Sequence, residues 1–222
     1  MVWLVLESKL STPRMSRYLQ ACQGNRELAA QAYVHNMRLA ESLVSIFHVL
    51  EVALRNGIQK EMTFASCRDD WYESWERSHN VGLRSLHAKV SVAKQALARR
   101  GGGLVPGKII AELSFGFWTS MFNRVTIRDL SKPLMKVFFH CPKAIRQPDL
   151  FRTRLNAARD LRNRCFHHEP LLWKPLSELH REILEMIGWI DPVLAIWLRD
   201  HDQFPSAFCA WKGWRENARL LG

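Results

Sequence analysis

Apolar residues recur at intervals of three and four along most of the chain, and this spacing is typical of amphipathic helices. Alternation of apolar and polar residues, which indicates strands, is scarce. The fold class predicted from this pattern is all-α, with the helices packed as a bundle. The pattern predicts helices over residues 11–22, 26–62, 69–77, 83–99, 106–122, 130–139, 149–166, 176–198 and 204–221.

Capping and helix-breaking residues set several of these boundaries. Ser11 is expected to cap the first helix, with Pro13 in its first turn. Residues 26–62 form one long helix in this prediction, and it is expected to be the centre of the bundle because a helix of that length needs neighbours. Pro192 is expected either to kink the 176–198 helix or to divide it.

The chain length of 222 residues fits one folded domain, and residues 1–222 are expected to form it. A possible hinge lies near residues 101–106, where three glycines follow one another. They are followed by Leu104-Val105-Pro106 and not by the Gly-Lys-Ser/Thr of a phosphate-binding loop. We therefore interpret the glycines as a turn.

The formal net charge of +11 favours polyanionic partners, because cationic side chains bind phosphates and release counterions. No predicted helix sets a clean apolar face against a Lys/Arg face, so nucleic acid is favoured over a membrane surface. One set of basic residues could follow a phosphate backbone or simply form a solvated surface: Arg84, Lys89, Lys94, Arg99, Arg100 and Lys108.

The number and spacing of the cysteines, together with the short length of the apolar segments, predict a cytoplasmic protein. The five cysteines are odd in number and show no CxxC spacing, which argues against a disulfide framework and a zinc site. The apolar start at residues 2–6 is short and lacks a basic region and a small-residue cleavage site, so a signal peptide is not expected. No apolar run approaches the roughly 20 residues of a membrane span. No metal or cofactor is expected.

Residues 159–170, Arg-Asp-Leu-Arg-Asn-Arg-Cys-Phe-His-His-Glu-Pro, carry most of the candidate chemistry. Pro170 is incompatible with a helix interior and also restricts Glu169, so the helix should end near residues 166–168. His167 is then at a helix C-terminus, where the macrodipole and the unpaired carbonyls favour the imidazolium. Such a histidine suits a general acid or base.

Arg162, Asn163 and His167 suit RNA cleavage without a metal. A base would remove the 2′-hydroxyl proton, an arginine would stabilise charge on the phosphoryl oxygens, and an acid would protonate the leaving 5′-oxygen. Asn163 and His167 share a helical face, whereas Arg162 is offset from His167 by about 140°. The two could meet if the last turn unwinds, or across a two-fold axis between chains. Alternatively, the histidine is only a cap and the arginine is solvated or ion-paired.

The segment from Arg162 to His167 resembles the Arg-x4-6-His motif of HEPN ribonucleases, and His168-Glu169-Pro170 extends it to the RNxxxHHEP form of Abi-like proteins, the bacterial abortive-infection family. Other segments are similar to patterns of that family, in the same order along the chain. They are residues 10–19 (LSxxRxxxYL), 33–36 (YxxN), 51–56 (EVALRN) and 117–122 (FWxxLF).

The resemblance implies a HEPN-like helical bundle with additional helices that forms a homodimer with a composite RNase site. It also implies a role in phage defence by abortive infection or as a toxin. Arg162 would contact the scissile phosphate, His167 would serve as acid or base, and Asn163 would orient the site. RNA is the implied substrate, and an antitoxin protein or a small RNA is a possible further partner.

Four residues are candidates for supporting roles. His168 either assists His167 or caps the helix, and capping is the preferred interpretation. Glu169 is close enough in sequence to orient an imidazole but could simply be exposed. Arg55 and Asn56 could reach the RNA, although Arg55 also has the spacing for an ion pair with Glu51. Two other functions stay open: a non-catalytic RNA-binding module of the same fold, and a helical protein that binds another protein.

Overall fold

The computed structural model describes residues 2–218, and the regular secondary structure within that range is entirely helical. The predicted all-α class is therefore confirmed. The helices in chain order are α1 (Val2–Leu10), α2 (Thr12–Ala21), α3 (Arg26–Ser42), α4 (Val44–Ser66), a 3-10 helix (Trp71–Trp75), α5 (Val81–Arg99), α6 (Pro106–Glu112), α7 (Phe115–Ser120), α8 (Ile127–Val137), α9 (Pro148–Phe166), α10 (Leu176–Ile190), α11 (Pro192–Arg199) and α12 (Phe204–Asn217).

The prediction of one helix over residues 26–62 is wrong, because α3 and α4 are separated at Leu43. The Ser42 hydroxyl donates a hydrogen bond back to the Leu39 carbonyl at 2.9 Å, and such local bonds compete with helix continuation. Leu43 itself is fully buried. The apolar spacing continues on both sides of the break, so periodicity alone could not locate it.

The start of the chain also differs from the prediction. Residues 2–10 form α1, although the sequence pattern placed no helix there, and Trp3 is buried. Ser11 makes no side-chain capping hydrogen bond to α2. Its φ of 78° lies in the left-handed region, whereas an N-cap serine takes an extended conformation, so the expected cap is wrong. Pro13 lies in the first turn of α2 as expected.

Two more predicted helices are divided in the structure. The 106–122 segment forms α6 and α7, with Leu113 in an extended conformation between them. The 176–198 segment forms α10 and α11, so Pro192 divides this helix rather than kinking it. The Asp191 carboxylate caps α11 by accepting hydrogen bonds from the Val193 and Leu194 amides. The predicted end of the last helix, at Leu221, lies outside the described residues.

Contacts cluster into two compact units, each built from segments distant in sequence. The described part of the first unit comprises residues 2–45, 162–180 and 201–218, and the second unit comprises residues 46–161 and 181–200. The expectation of a single domain stays a prediction. The glycine-rich segment at 101–106 lies inside the second unit.

The first unit packs α1, α2, α3 and α12 around buried aromatic and aliphatic side chains. Tyr18 of α2 is fully buried and meets the Tyr33 ring of α3 edge to face, with centroids 5.3 Å apart. The Trp214 indole of α12 donates a hydrogen bond to Gln31 Oε1 on α3 at 2.7 Å. These contacts place α2 and α3 beside each other, and both contribute to the site described below.

The second unit has an aromatic core. Trp71 and Trp75 of the 3-10 helix are in contact, with ring centroids 4.9 Å apart. Phe138 stacks on Phe151 at 4.1 Å, and Phe151 meets Trp189 edge to face. None of the described helices is both long enough and apolar enough to cross a membrane.

Candidate active site

Helix α9 ends at Phe166 with a backbone arrangement that leaves His167 at its terminus. The Glu169 amide donates to the Arg164 carbonyl at 2.8 Å, and the His168 amide donates to the Cys165 carbonyl at 3.1 Å. His168 has a φ of 56°, in the left-handed region. This pair of bonds with a left-handed residue is the Schellman motif, which terminates helices and satisfies their last carbonyls. The predicted end of the helix near residues 166–168 is confirmed.

Two residues from the N-terminal helices hold the chain just after this turn. Arg14 of α2 donates to the His168 carbonyl through Nη1. Asn36 of α3 is buried, accepts from the Leu171 amide at 2.6 Å and donates to the Glu169 carbonyl at 3.4 Å. The residues that follow His167 are therefore fixed by side chains more than 130 positions away in sequence.

Arg162 is partly exposed on the last turns of α9. Its guanidinium lies over the ring of Phe166, one turn later, at 4.4 Å from the ring centroid. A guanidinium this close to an aromatic ring is attracted to the ring face by a cation–π interaction. Phe166 thus helps to hold in place the head group that is expected to contact a phosphate.

His167 is exposed, and Asn163 is partly exposed on the same face of α9. The His167 amide donates to the Asn163 carbonyl at 2.8 Å, so the α-helical hydrogen bond is retained up to His167. The last turn is therefore not unwound, and Arg162 and His167 of one chain keep the helical offset of about 140°. Arg162 and His167 therefore do not meet through unwinding of the last turn within one chain, which leaves a meeting across a two-fold axis between chains.

Glu169 and His168 both have structural roles at the end of α9. The Glu169 carboxylate pairs with Arg164 Nη1 at 2.9 Å. Its partner in the structure is therefore an arginine and not the imidazole that it was a candidate to orient. His168 acts through its backbone, as the left-handed residue of the Schellman motif, and its side chain is exposed. The geometry thus supports the capping interpretation for His168.

Cys165 lies between these residues but faces the interior. Its side chain is buried, and burial raises the pKa of the thiol to about 12. A thiol that stays protonated near neutral pH is a poor nucleophile. Covalent catalysis by this cysteine is therefore not part of the candidate chemistry.

Arg55 and Asn56 belong to the second unit. Arg55 is partly exposed and its Nε donates to Asn56 Oδ1 at 3.4 Å, along the surface of α4. Asn56 lines an open groove of about 1100 Å³ together with Phe64 and Phe139. An RNA-binding role for Arg55 and Asn56 stays a prediction.

The basic residues along α5 are partly engaged within the second unit. Lys94 pairs with Glu73, and Arg100 pairs with Glu112 at 2.6 Å. Arg84 donates to the Ser78 carbonyl at 2.6 Å. These contacts favour a structural role for three of the six residues over a continuous phosphate-binding surface. Across residues 2–218, no group of three or more His, Cys, Asp or Glu side chains is arranged to hold a metal ion.

Sequence reasoning identified Arg162, Asn163 and His167, and the structure places all three at the end of α9. It did not assign roles to Phe166, Arg164, Arg14 or Asn36. Arg14 and Asn36 were visible only as members of the patterns that resemble a family. Their partners lie far away in sequence, so helical periodicity carries no signal for these contacts.

These features define an all-helical protein with an Arg-Asn-x-x-x-His segment at a fixed helix terminus. A sequence model of the Abi-like protein family matches residues 14–173, well over half of the chain, and the chain belongs to that family. The matched range begins at Arg14 and ends at Trp173, and includes Asn36 and the whole of α9. Membership associates the chain with abortive infection. No curated protein and no solved structure matches it.

Proposed function

We propose that this protein is a HEPN-type endoribonuclease that cleaves RNA without a metal ion and acts as a toxin or effector in phage defence. The observation that carries the proposal is that an exposed His167 directly follows α9 and a partly exposed Arg162 lies in the last turns of that helix. Membership of the Abi-like family and the net charge of +11 support it independently. The site of action would be the cytoplasm, where phage and host RNA are found.

The chemistry assigns a role to each side chain. The His167 imidazole acts as base and removes the 2′-hydroxyl proton, and the 2′-oxygen attacks the adjacent phosphorus. The bond from phosphorus to the 5′-oxygen breaks, and the same His167, now an imidazolium, acts as acid and returns its proton to that leaving oxygen. The products are a 2′,3′-cyclic phosphate and a 5′-hydroxyl. Arg162 stabilises the charge that develops on the phosphoryl oxygens, and Asn163 orients the site.

The proposed site is composite and needs two copies of the chain. The last turn of α9 keeps its helical hydrogen bond from His167 to Asn163, so Arg162 and His167 of one chain stay on different sides of the helix. A two-fold axis would bring Arg162 of one protomer to His167 of its partner protomer. An antitoxin protein or a small RNA that covers this surface would keep the enzyme silent.

The decisive test is cleavage of single-stranded RNA by purified protein in the presence of EDTA. We expect wild-type protein to leave 2′,3′-cyclic phosphate ends, and His167→Ala to lower the rate by roughly 10²- to 10⁴-fold, the usual contribution of general acid–base catalysis. His79→Ala is the matched control, because His79 is equally an exposed histidine but belongs to the second unit. Circular dichroism verifies that both variants are folded.

Cleavage that persists in folded His167→Ala protein would contradict the proposal. RNA binding without cleavage by the wild type would instead identify a non-catalytic RNA-binding module. Absence of RNA binding at low salt would favour a protein-interaction function. Expression of the wild-type chain should slow bacterial growth, and the His167→Ala variant should relieve this effect.

A further inference from the structure

A second feature of the first unit is a basic cleft beside the candidate active site. It has a volume of about 400 Å³, within the roughly 300–1,000 Å³ of small-molecule sites. Arg17 and Gln20 of α2 line one side, Arg164 of α9 contributes from the helix end, and Trp173 and Lys174 contribute from the segment that follows α9. We refer to these five residues as the Trp173 cleft.

Trp173 is held in place although half of it is exposed. Its side chain is 51% exposed, and its ring lies against that of the buried Tyr18, with centroids 5.8 Å apart. The Lys174 amide donates to the Leu171 carbonyl at 2.8 Å, which closes a turn around Trp173. The Asn36 side chain anchors that turn through the Leu171 amide. Since the turn is fixed, the exposed indole is a preformed surface.

The charge of the cleft is positive. Arg17 and Lys174 are exposed, and no acidic residue lines the cleft. Glu169, which pairs with Arg164 at 2.9 Å, balances one of the three cationic groups. A cleft with cationic side chains and an exposed aromatic ring suits a ligand that carries both a phosphate and a flat base.

We propose that the Trp173 cleft binds a nucleotide of single-stranded RNA, with its base stacked on Trp173 and its phosphates on Arg17 and Lys174. The inference deepens the proposed function, on which it rests, by locating the substrate strand outside the scissile bond. Arg164 precedes His167 by three residues, so the two positions are about 60° apart around the end of α9, and the cleft lies on the His167 side of the helix. The bound nucleotide therefore flanks the cleaved phosphodiester. Stacking accepts every base, and the cleft adds affinity without strong sequence preference.

Binding of a fluorescently labelled oligoribonucleotide to the full chain, followed by anisotropy, tests this site. All measurements use the His167→Ala background, so that the RNA stays intact whether or not the protein is a nuclease. We expect Trp173→Ala to weaken binding about 5- to 150-fold, the range found for loss of one base stack, and Trp173→Phe to restore most of it. Trp197→Ala is the matched control, because that indole is 52% exposed in the second unit.

The phosphate contacts have their own readout in the salt dependence of binding. Arg17→Ala should weaken binding and lower the slope of log affinity against log salt by about 0.7, the value for one phosphate contact on a single strand. Lys132→Ala removes an exposed charge from the second unit and should leave the slope unchanged. Because Arg17 is exposed, the Arg17→Ala variant should fold, and its salt dependence tests the site even if Trp173→Ala fails to fold.

The inference would be overturned if the Arg17→Ala and Lys132→Ala variants bind RNA with the same affinity and salt dependence, and Trp173→Ala either binds RNA as the parent does or is unfolded. A 5′-mononucleotide that binds as tightly as the oligonucleotide would also overturn it, because the cleft would then serve a free ligand. Cleavage by the wild type with unaffected binding in the cleft variants would leave the nuclease proposal intact. If the wild type never cleaves RNA but the cleft variants lose RNA binding, the nuclease proposal fails and the RNA-binding role of the cleft is retained.

Discussion

At the residue scale, the end of α9 depends on conformations that few residue types adopt. His168 takes the left-handed conformation that glycine usually supplies at this position of a Schellman motif. Pro170 made the end of the helix predictable, because a proline disfavours helix at itself and before it. The left-handed φ was not predictable, since histidine carries no strong signal for it.

We expect His168→Gly to keep or increase stability. A non-glycine residue in the left-handed region costs roughly 1–2 kcal/mol, and the greater freedom of glycine in the unfolded chain offsets about 0.5–1 kcal/mol of that gain. Urea unfolding measures the change, and RNA cleavage should stay within about twofold of the wild type because His168 acts through its backbone. A folded His168→Gly protein as inactive as His167→Ala would show that the imidazole of His168 takes part in catalysis.

His180 makes the stability of the first unit depend on pH. Burial lowers the pKa of His180 below its ordinary value of 6.5, and Asp202, 2.6 Å from Nε2, opposes this shift only in part. The unfolded chain then binds the proton more readily, so acidification below pH 6.5 favours unfolding. The contribution of the neutral His180 to the free energy of unfolding is complete above pH 6.5 and is lost as the pH falls towards the lowered pKa.

The His180→Gln variant tests this dependence, because glutamine can still donate to Asp202 but does not titrate. We expect its free energy of unfolding to fall less than that of the wild type between pH 7 and pH 5.5 in urea titrations. An equal or larger fall in the variant would assign the pH dependence to other groups.

At the element scale, prediction from the sequence succeeded where strong local signals bound a helix. The predicted helices at 149–166 and 83–99 match α9 and α5 to within two residues at each end. Pro148 begins the first of these, and the glycines after Arg100 follow the end of the second. The break at Leu43 was missed because the apolar spacing continues through Ser42 and Leu43, so that periodicity carries no signal for it.

Asn36 connects α3 to the segment that follows the motif, and its loss should affect both stability and activity. Asn36→Ala leaves the buried Leu171 amide and the Glu169 carbonyl without this partner. We expect the free energy of unfolding to fall by about 1–3 kcal/mol. The exposed Asn123→Ala should change it by less than about 0.5 kcal/mol. Chemical denaturation of both variants measures the difference, and similar small effects would mean that the Asn36 bonds contribute little.

At the scale of the whole molecule, the all-α class and the family were predictable, because both follow from patterns spread along the chain. The residues that hold the site were not. Arg14 and His168 are 154 positions apart, and no local property of either residue encodes their contact. The assembly also leaves no local signal, so the proposed homodimer rests on the geometry of α9.

Mixing two inactive variants tests the composite site. Arg162→Ala and His167→Ala each disable one half of it, and a mixed dimer pairs the intact Arg162 of one chain with the intact His167 of the other. If dimers form at random, about a quarter of the wild-type sites should be restored in an equimolar mixture, and RNA cleavage measures this recovery. Mixtures that exchange subunits yet stay inactive would place both groups of each site on one chain.

The long separation between Arg14 and its partner has a consequence for synthesis on the ribosome. A nascent chain carries Arg14 and Asn36 early, but the carbonyls and amide that they bind, at residues 168–171, are synthesised more than 130 residues later. Translation that stops before this point yields a fragment whose N-terminal helices lack their partner segment. The helix end proposed to carry the ribonuclease site is thus fixed in place only after the segment at residues 168–171 has been synthesised.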